Sequence, residues 1–154
     1  MILLDSKTKQ EFLSPERMQK LIESGVDTSD SKFCIIESKL EPLNRFVVYK
    51  KFSIPNEKDF NFVCNTYTLP ELLLKLSEWI GKDDYKGLTF FKDAPFYGFY
   101  YKAEGDKEKD VPYAEYPLIA GYNALVWCIE NGYGYVYDIS TKGDDELDMD
   151  INYD

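Results

Sequence analysis

The residues that could do chemistry are few in kind. There is no histidine, which removes the commonest general base and metal ligand at neutral pH. Three cysteines, Cys34, Cys64 and Cys128, stand far apart in apolar surroundings. A reactive thiol needs a base or a positive neighbour to become thiolate, and Cys128, between Trp127 and Ile129, has neither beside it in sequence. The expectation is three reduced, structural thiols. A disulfide framework would use an even number, and a zinc site would need four ligands at short spacing. Carboxylates are plentiful: 28 Asp and Glu against 18 Lys and Arg, a net charge of −10. Two of them at the right separation could act as acid and base. Glu37, Asp93, Glu115 and Glu130 are candidates, but nothing in their spacing singles out a pair. Asp148-x-Asp150-x-Asn152 matches the first half of a calcium loop, but Tyr153 stands where glycine is needed and no bidentate Glu follows. No phosphate-cradling glycine loop, nucleophile elbow or metalloprotease helix is present. No catalytic, metal or cofactor residue is therefore assigned, and the chain reads as a non-enzyme without a cofactor.

Two features point instead to recognition. Tyr97, Tyr100, Tyr101, Tyr113, Tyr116, Tyr133, Tyr135 and Tyr137 fall in or beside two stretches that read as strands. Alternation along a strand puts about half of such side chains on the solvent face. Tyrosine there offers a large, stiff contact area with a polar tip, although strands favour tyrosine for packing alone. The second feature is the stretch from Asp138 to Asp154, which holds seven acids and one Lys, a net −6. Tyr97, Tyr133, Tyr135 and Tyr137, with Asp144, Asp145, Glu146, Asp148 and Asp150, make up the candidate interaction surface. Such a charge repels phosphate backbones and argues against direct nucleic-acid binding. It draws in basic proteins.

These residues must be positioned by ordinary secondary structure. At 154 residues, with 44% hydrophobic and 30% charged side chains, the chain is long and apolar enough for one core. No apolar run approaches the ~18–20 residues of a membrane helix, and Met1–Leu4 lacks the basic segment of a signal peptide. Ile2–Leu4 reads as either an edge strand or a loose arm. Leu13-Ser14-Pro15-Glu16 signs a helix start: Ser14 as N-cap, Pro15 at the first position, Leu13 and Met18 as a hydrophobic staple. Gly25 ends that helix, 15–24, with Val26 folding back on Leu21. FCIIES (33–38) and RFVVYKKF (45–52) read as an antiparallel pair, with a short strand at 62–64. Thr68-Leu69-Pro70-Glu71 is a capping box. Leu69, Leu72, Leu73, Leu76 and Ile80, widened by Trp79, make a helical stripe that stops at Gly81. GLTFFK (87–92) and FYGFYYK (96–102) form a hairpin, and Gly98 marks a bulge or a close backbone approach. A third helix starts near Pro117, is apolar on most sides and stops at Asn131-Gly132, with Tyr133–Ile139 following as a strand.

The sum is an α+β fold, a mostly antiparallel sheet with about three helices on one face. It reads as a single domain over 1–139 followed by an acidic, flexible tail over 140–154. Three blocks carry a resemblance: Leu13–Glu16 running to Gly25–Asp30, Tyr67–Leu73, and Ala124–Tyr133. In this order they resemble small proteins of gut bacteria and their phages and prophages, a group without an assigned activity. That resemblance spans about residues 12–135. It implies a mobile-element setting in a bacterial cytoplasm and supplies no catalytic residues. Three readings follow: a non-catalytic module that binds another, basic protein; an inhibitor that mimics nucleic acid toward a host defence protein; and an enzyme using paired carboxylates.

Overall fold

The computed structural model describes residues 2–3, 10–39, 46–51, 60–77, 79–80, 86–93, 95–102 and 114–139. Among them are three helices and seven strands, all paired antiparallel. The fold is α+β. The strands lie in two sheets, and the chain divides into two compact units, 1–68 and 69–154.

In the first unit the sheet order is β1-β3-β2-β4, with β1 Ile2–Leu3, β2 Phe33–Ser38, β3 Phe46–Lys50 and β4 Phe60–Thr66. The N-terminal residues thus settle as an edge strand, Ile2 opposite Val48. The inner strands bury residues on both faces, which explains the unbroken apolar run Cys34-Ile35-Ile36. Phe12, Ile35 and Val48 cluster on one face, and Cys34, Ile36 and Val47 on the other. An edge-on aromatic pair completes each: Phe12 with Phe33 at 5.1 Å, and Tyr49 with Phe60 at 5.9 Å. β4 is longer than its apolar centre suggested, and it shifts register between the partners of Ile35 and Ile36.

Helix α1, Pro15–Glu23, packs against β4 through the unit's buried face. Both of its ends behave as their sequence requires. Ser14 Oγ accepts the Arg17 N–H at 3.3 Å. At the far end Gly25, with φ +93°, donates to Ile22 O and Val26 to Leu21 O, both at 3.0 Å. That is the paired bonding of a Schellman ending. Met18, Leu21 and Val26 are buried, each worth roughly 1.5–3 kcal/mol of hydrophobic stabilisation. The polar loop that follows is tied down hard. Ser29 N–H bonds Asp27 Oδ1 at 2.9 Å, and the buried Tyr67 hydroxyl donates to the Asp30 carboxylate. Thr66 Oγ1 donates to Leu13 O at 2.7 Å, so the strand end and the helix start share one buried bond.

The second unit holds α2 Leu69–Lys75, β5 Trp79–Ile80, β6 Lys86–Asp93, β7 Phe96–Lys102 and α3 Pro117–Glu130. Its sheet order is β5-β6-β7. α2 corrects the sequence reading. The helix does not run on to Trp79 and Ile80; they pair with Gly87 and Lys86 as a strand. A short apolar run with an aromatic and a β-branched residue suits either period. The tertiary setting decides: the Ser77 carbonyl accepts the Tyr101 hydroxyl from β7, where a continued helix would need it for its own next turn. Gly81, the expected stop, lies outside the described residues.

Gly98 is a close approach rather than a bulge, since β6 and β7 keep unbroken register across it. Its cross-strand partner is Phe91, whose ring covers the glycine: a Cβ there would meet that ring at 2.2 Å. α3 packs on β7 and against α2. Eight of its fourteen residues are buried, among them Leu118, Leu125 and Cys128, as its all-round apolarity predicts. Small residues at Ala120, Gly121 and Ala124 let α2 come close; a Cβ on Gly121 would stand 3.0 Å from Leu69 Cδ1. Among the described residues no helix is long and apolar enough to cross a membrane. The acidic stretch 140–154 lies outside the described residues.

Candidate functional site

The candidate site is assembled where α3 ends. Asn131 caps the helix, Gly132 takes φ +73°, and the Tyr133 N–H returns to Cys128 O at 2.9 Å. This ending fixes the first residue of the tyrosine stretch relative to the helix. The chain beyond it is not the strand that the alternation of tyrosines implied. Residues 133–139 pair with no strand, and Gly134, at φ +77°, sits in a region that an extended ladder cannot use. Alternation was a true pattern with a different cause.

That cause is Lys75, the last residue of α2. Its side chain is fully buried. Its backbone carbonyl accepts the Val136 N–H at 2.7 Å, and its ammonium donates to the Tyr137 carbonyl at 2.7 Å. The same ammonium lies 5.5 Å from the centre of the Tyr135 ring. One lysine thus holds three consecutive residues by three different interactions. Tyr135 turns inward under it, half-buried, while Tyr133 and Tyr137 turn outward at 37% and 67% exposure. Glu71, one helical turn before Lys75, is also buried. Lys75 was not singled out from sequence, and Glu71 was read there only as a capping residue of the helix. The available signal was an acid and a base four residues apart beside an apolar helical stripe, a spacing far commoner on solvated faces.

Tyr133 is supported from below. Its ring stacks on Trp127 at 5.3 Å, and Trp127 stacks on Tyr101 at 6.3 Å. The series runs from buried Tyr101 through half-buried Trp127 to exposed Tyr133. Cys128 is buried beneath it, and burial pushes the thiol up to about 11. Burial likewise pushes Cys64 up to about 11 and raises Cys34. All three cysteines are free, and at neutral pH they are protonated and poor nucleophiles.

The remaining candidates scatter. Tyr97 is half-buried on β7, with Phe90 stacked at 6.2 Å and the Lys92 ammonium 5.7 Å above its ring. Its backbone bridges to Ala114, and it makes no ring contact with the 133–137 tyrosines. Asp144, Asp145, Glu146, Asp148 and Asp150, and with them the calcium-like half-loop, lie outside the described residues. Among the described residues no three His, Cys, Asp or Glu side chains come together as metal ligands. Glu115 and Glu130 are exposed at opposite ends of α3. The helix rise puts them roughly 20 Å apart, beyond the ~5–10 Å span of paired catalytic carboxylates.

What the geometry offers is a presented surface: two exposed phenols on a backbone clamped from both sides, with an indole in support. Comparison with protein-family models, with curated proteins and with solved structures returns no match.

Proposed function

We propose that the chain is a non-catalytic interaction module whose second unit binds another protein, one of basic character, in the cytoplasm of a bacterial host. The phage or mobile-element setting rests on the sequence resemblance. One observation carries the binding reading: Tyr133 and Tyr137 stay exposed although the residues between and beneath them are held by Lys75 and Trp127. The Tyr133 ring is stacked on Trp127 and the Tyr137 backbone is held by Lys75, so less entropy is lost when a partner covers them, which is where rigid aromatic anchors gain affinity.

Nucleic-acid mimicry is less well supported. A duplex carries a negative charge every ~1.7 Å of its axis, whereas from 114 to 137 the only acids are Glu115 and Glu130. The experiment is capture from a bacterial lysate on the immobilised chain, with the Tyr133→Ala/Tyr137→Ala double variant alongside. A stoichiometric partner that the double variant loses, at unchanged circular dichroism, is the expected result. Equal capture by both, or no partner from several hosts, would overturn the proposal.

A further inference from the structure

Three aromatic rings stand in series in the second unit. Tyr101, buried on β7, stacks on the half-buried indole of Trp127, with 6.3 Å between ring centres and 20° between planes. Trp127 in turn stacks on the exposed Tyr133 at 5.3 Å and 30°. Such stacks contribute packing energy, and they also bring π-systems close enough for an electron to pass from ring to ring. Indole and phenol are the aromatic side chains that give up one electron most readily.

The surroundings give the series a direction. At neutral pH a phenol is protonated, and it must shed that proton when it loses an electron. Tyr101 has nowhere to send it. Its hydroxyl donates to the Ser77 carbonyl, which is too weak a base to keep the proton, and burial disfavours the ionised form. Tyr133 is exposed, so water takes its proton. An indole, which can lose the electron first and the proton afterwards, is attacked faster, whereas at neutral pH the phenoxyl is the more stable radical. An electron vacancy opened at Trp127 therefore moves outward to Tyr133 and not inward to Tyr101.

We propose that Tyr133 is an oxidative modification site fed by Trp127: one-electron oxidation by a small diffusible radical ends there as a phenoxyl, which cross-links to a second phenoxyl. The oxidant takes one electron from Trp127, and the indole N–H passes its proton to water. The indolyl radical then takes an electron across the stack from Tyr133. The indole nitrogen regains a proton from water while the Tyr133 hydroxyl releases one. Two phenoxyls join through ring carbons beside the oxygens, and the hydrogens on those carbons move to the oxygens, leaving dityrosine. This site goes beyond the interaction reading and needs no partner.

Exposure alone predicts a different target. Tyr137 at 67% and Tyr116 at 40% are both more open than Tyr133 at 37%, and neither has a ring stacked on it among the described residues. The test uses the full chain with Trp79→Phe, which leaves Trp127 as the only indole, oxidised by azidyl radicals from pulse radiolysis of azide. The expected result is an indolyl absorbance that decays as phenoxyl absorbance grows, with dityrosine mapped by mass spectrometry chiefly to Tyr133. At unchanged circular dichroism, Tyr133→Phe should slow the indolyl decay several-fold, and Tyr137→Phe should leave it as it was. Trp127→Phe, which keeps a ring in the stack, should move the cross-links to Tyr137. Cross-links led by Tyr137 with Trp127 in place, an absence of dityrosine, an indolyl radical that decays equally fast in Tyr133→Phe, or cross-links at Tyr133 that persist in Trp127→Phe would each overturn the proposal. Partner capture enters none of these readouts, so the interaction reading stands or falls separately.

Discussion

Replacing Lys75 by Met tests the clamp at its strongest point. Met keeps most of the aliphatic stem, so packing within the buried site changes little. Three terms change. The Tyr137 carbonyl loses a donor at 2.7 Å, a charge-assisted bond worth ~1.5–3 kcal/mol. The ring of Tyr135 loses a desolvated cation 5.5 Å from its centre, worth up to ~2 kcal/mol. Against these, the protein no longer buries a charge, a relief that can reach several kcal/mol when a charge is badly served. Lys75 is well served by a carbonyl and a ring, and Tyr137, being exposed, lets its carbonyl recover water in the variant. The terms leave a net loss of about 2 kcal/mol. For a chain of this size that lowers Tm by roughly 4–8 °C. Thermal melting gives the global number, and amide exchange at Val136, whose N–H bonds the Lys75 carbonyl at 2.7 Å, gives the local one: its protection should fall. A Lys75→Met chain as stable as the parent, with Val136 still protected, would show that desolvation cancels the clamp and would refute this reasoning.

Two further outcomes follow from packing and burial. Gly98→Val should destabilise by about 1–3 kcal/mol, because its Cβ would overlap the Phe91 ring at 2.2 Å; pairing it with Phe91→Ala should cost clearly less than the sum of the single changes, and simple additivity in chemical denaturation would contradict the contact. The thiols, buried at Cys34 and Cys128 and half-buried at Cys64, predict slow labelling of the native chain by a disulfide reagent at pH 8, and a burst on unfolding. They also set the alkaline limit: Cys64 and Cys128 ionise near 11 when folded against 9.0 when free, so the unfolded chain releases its protons first. Stability should therefore hold up to about pH 9 and fall between 9 and 11, read as the urea midpoint across that range; a midpoint that rises there would reverse the assignment.

Much of the fold was legible because local signals and tertiary demands agreed. Ser14 and Gly25 sign the ends of α1, and both ends form with the bonds their residue types require. Gly98 in mid-strand announced a bulge or a close approach, and the unbroken register with a ring covering it decides for the second. The run Cys34-Ile35-Ile36 reads as a strand because its length and branching leave a helix little chance. The failures share a different cause. Trp79-Ile80 continues a helical stripe, but the chain uses the Ser77 carbonyl to receive Tyr101 and gives the two residues to β6. The tyrosines of 133–137 alternate like a strand, yet the partner that turns alternate rings in and out is a lysine sixty residues earlier. Sequence spacing registers the periodicity of contacts, not the identity of what makes them. So Tyr133 and Tyr137 are exposed, though not through the strand that alternation implied, while Tyr135 and Tyr97 are half-buried, each under a lysine.

The acidic stretch can be separated from the aromatic surface by neutralising it in the full chain. Asp144→Asn, Asp145→Asn, Glu146→Gln, Asp148→Asn and Asp150→Asn together remove five charges and take the net from −10 to −5. If these acids act at long range, the association rate of nona-arginine, a peptide standing in for a basic partner, should drop several-fold at low salt, and the two chains should converge as screening shortens the ~10 Å Debye length of 0.1 M salt. Dissociation should barely change, because the contacts made at Tyr133 and Tyr137 are intact. Stopped-flow mixing of nona-arginine with each chain measures both rates. A dissociation rate that climbs as far as the association rate falls would relocate recognition to the acidic stretch and leave the clamped tyrosines without a role in binding.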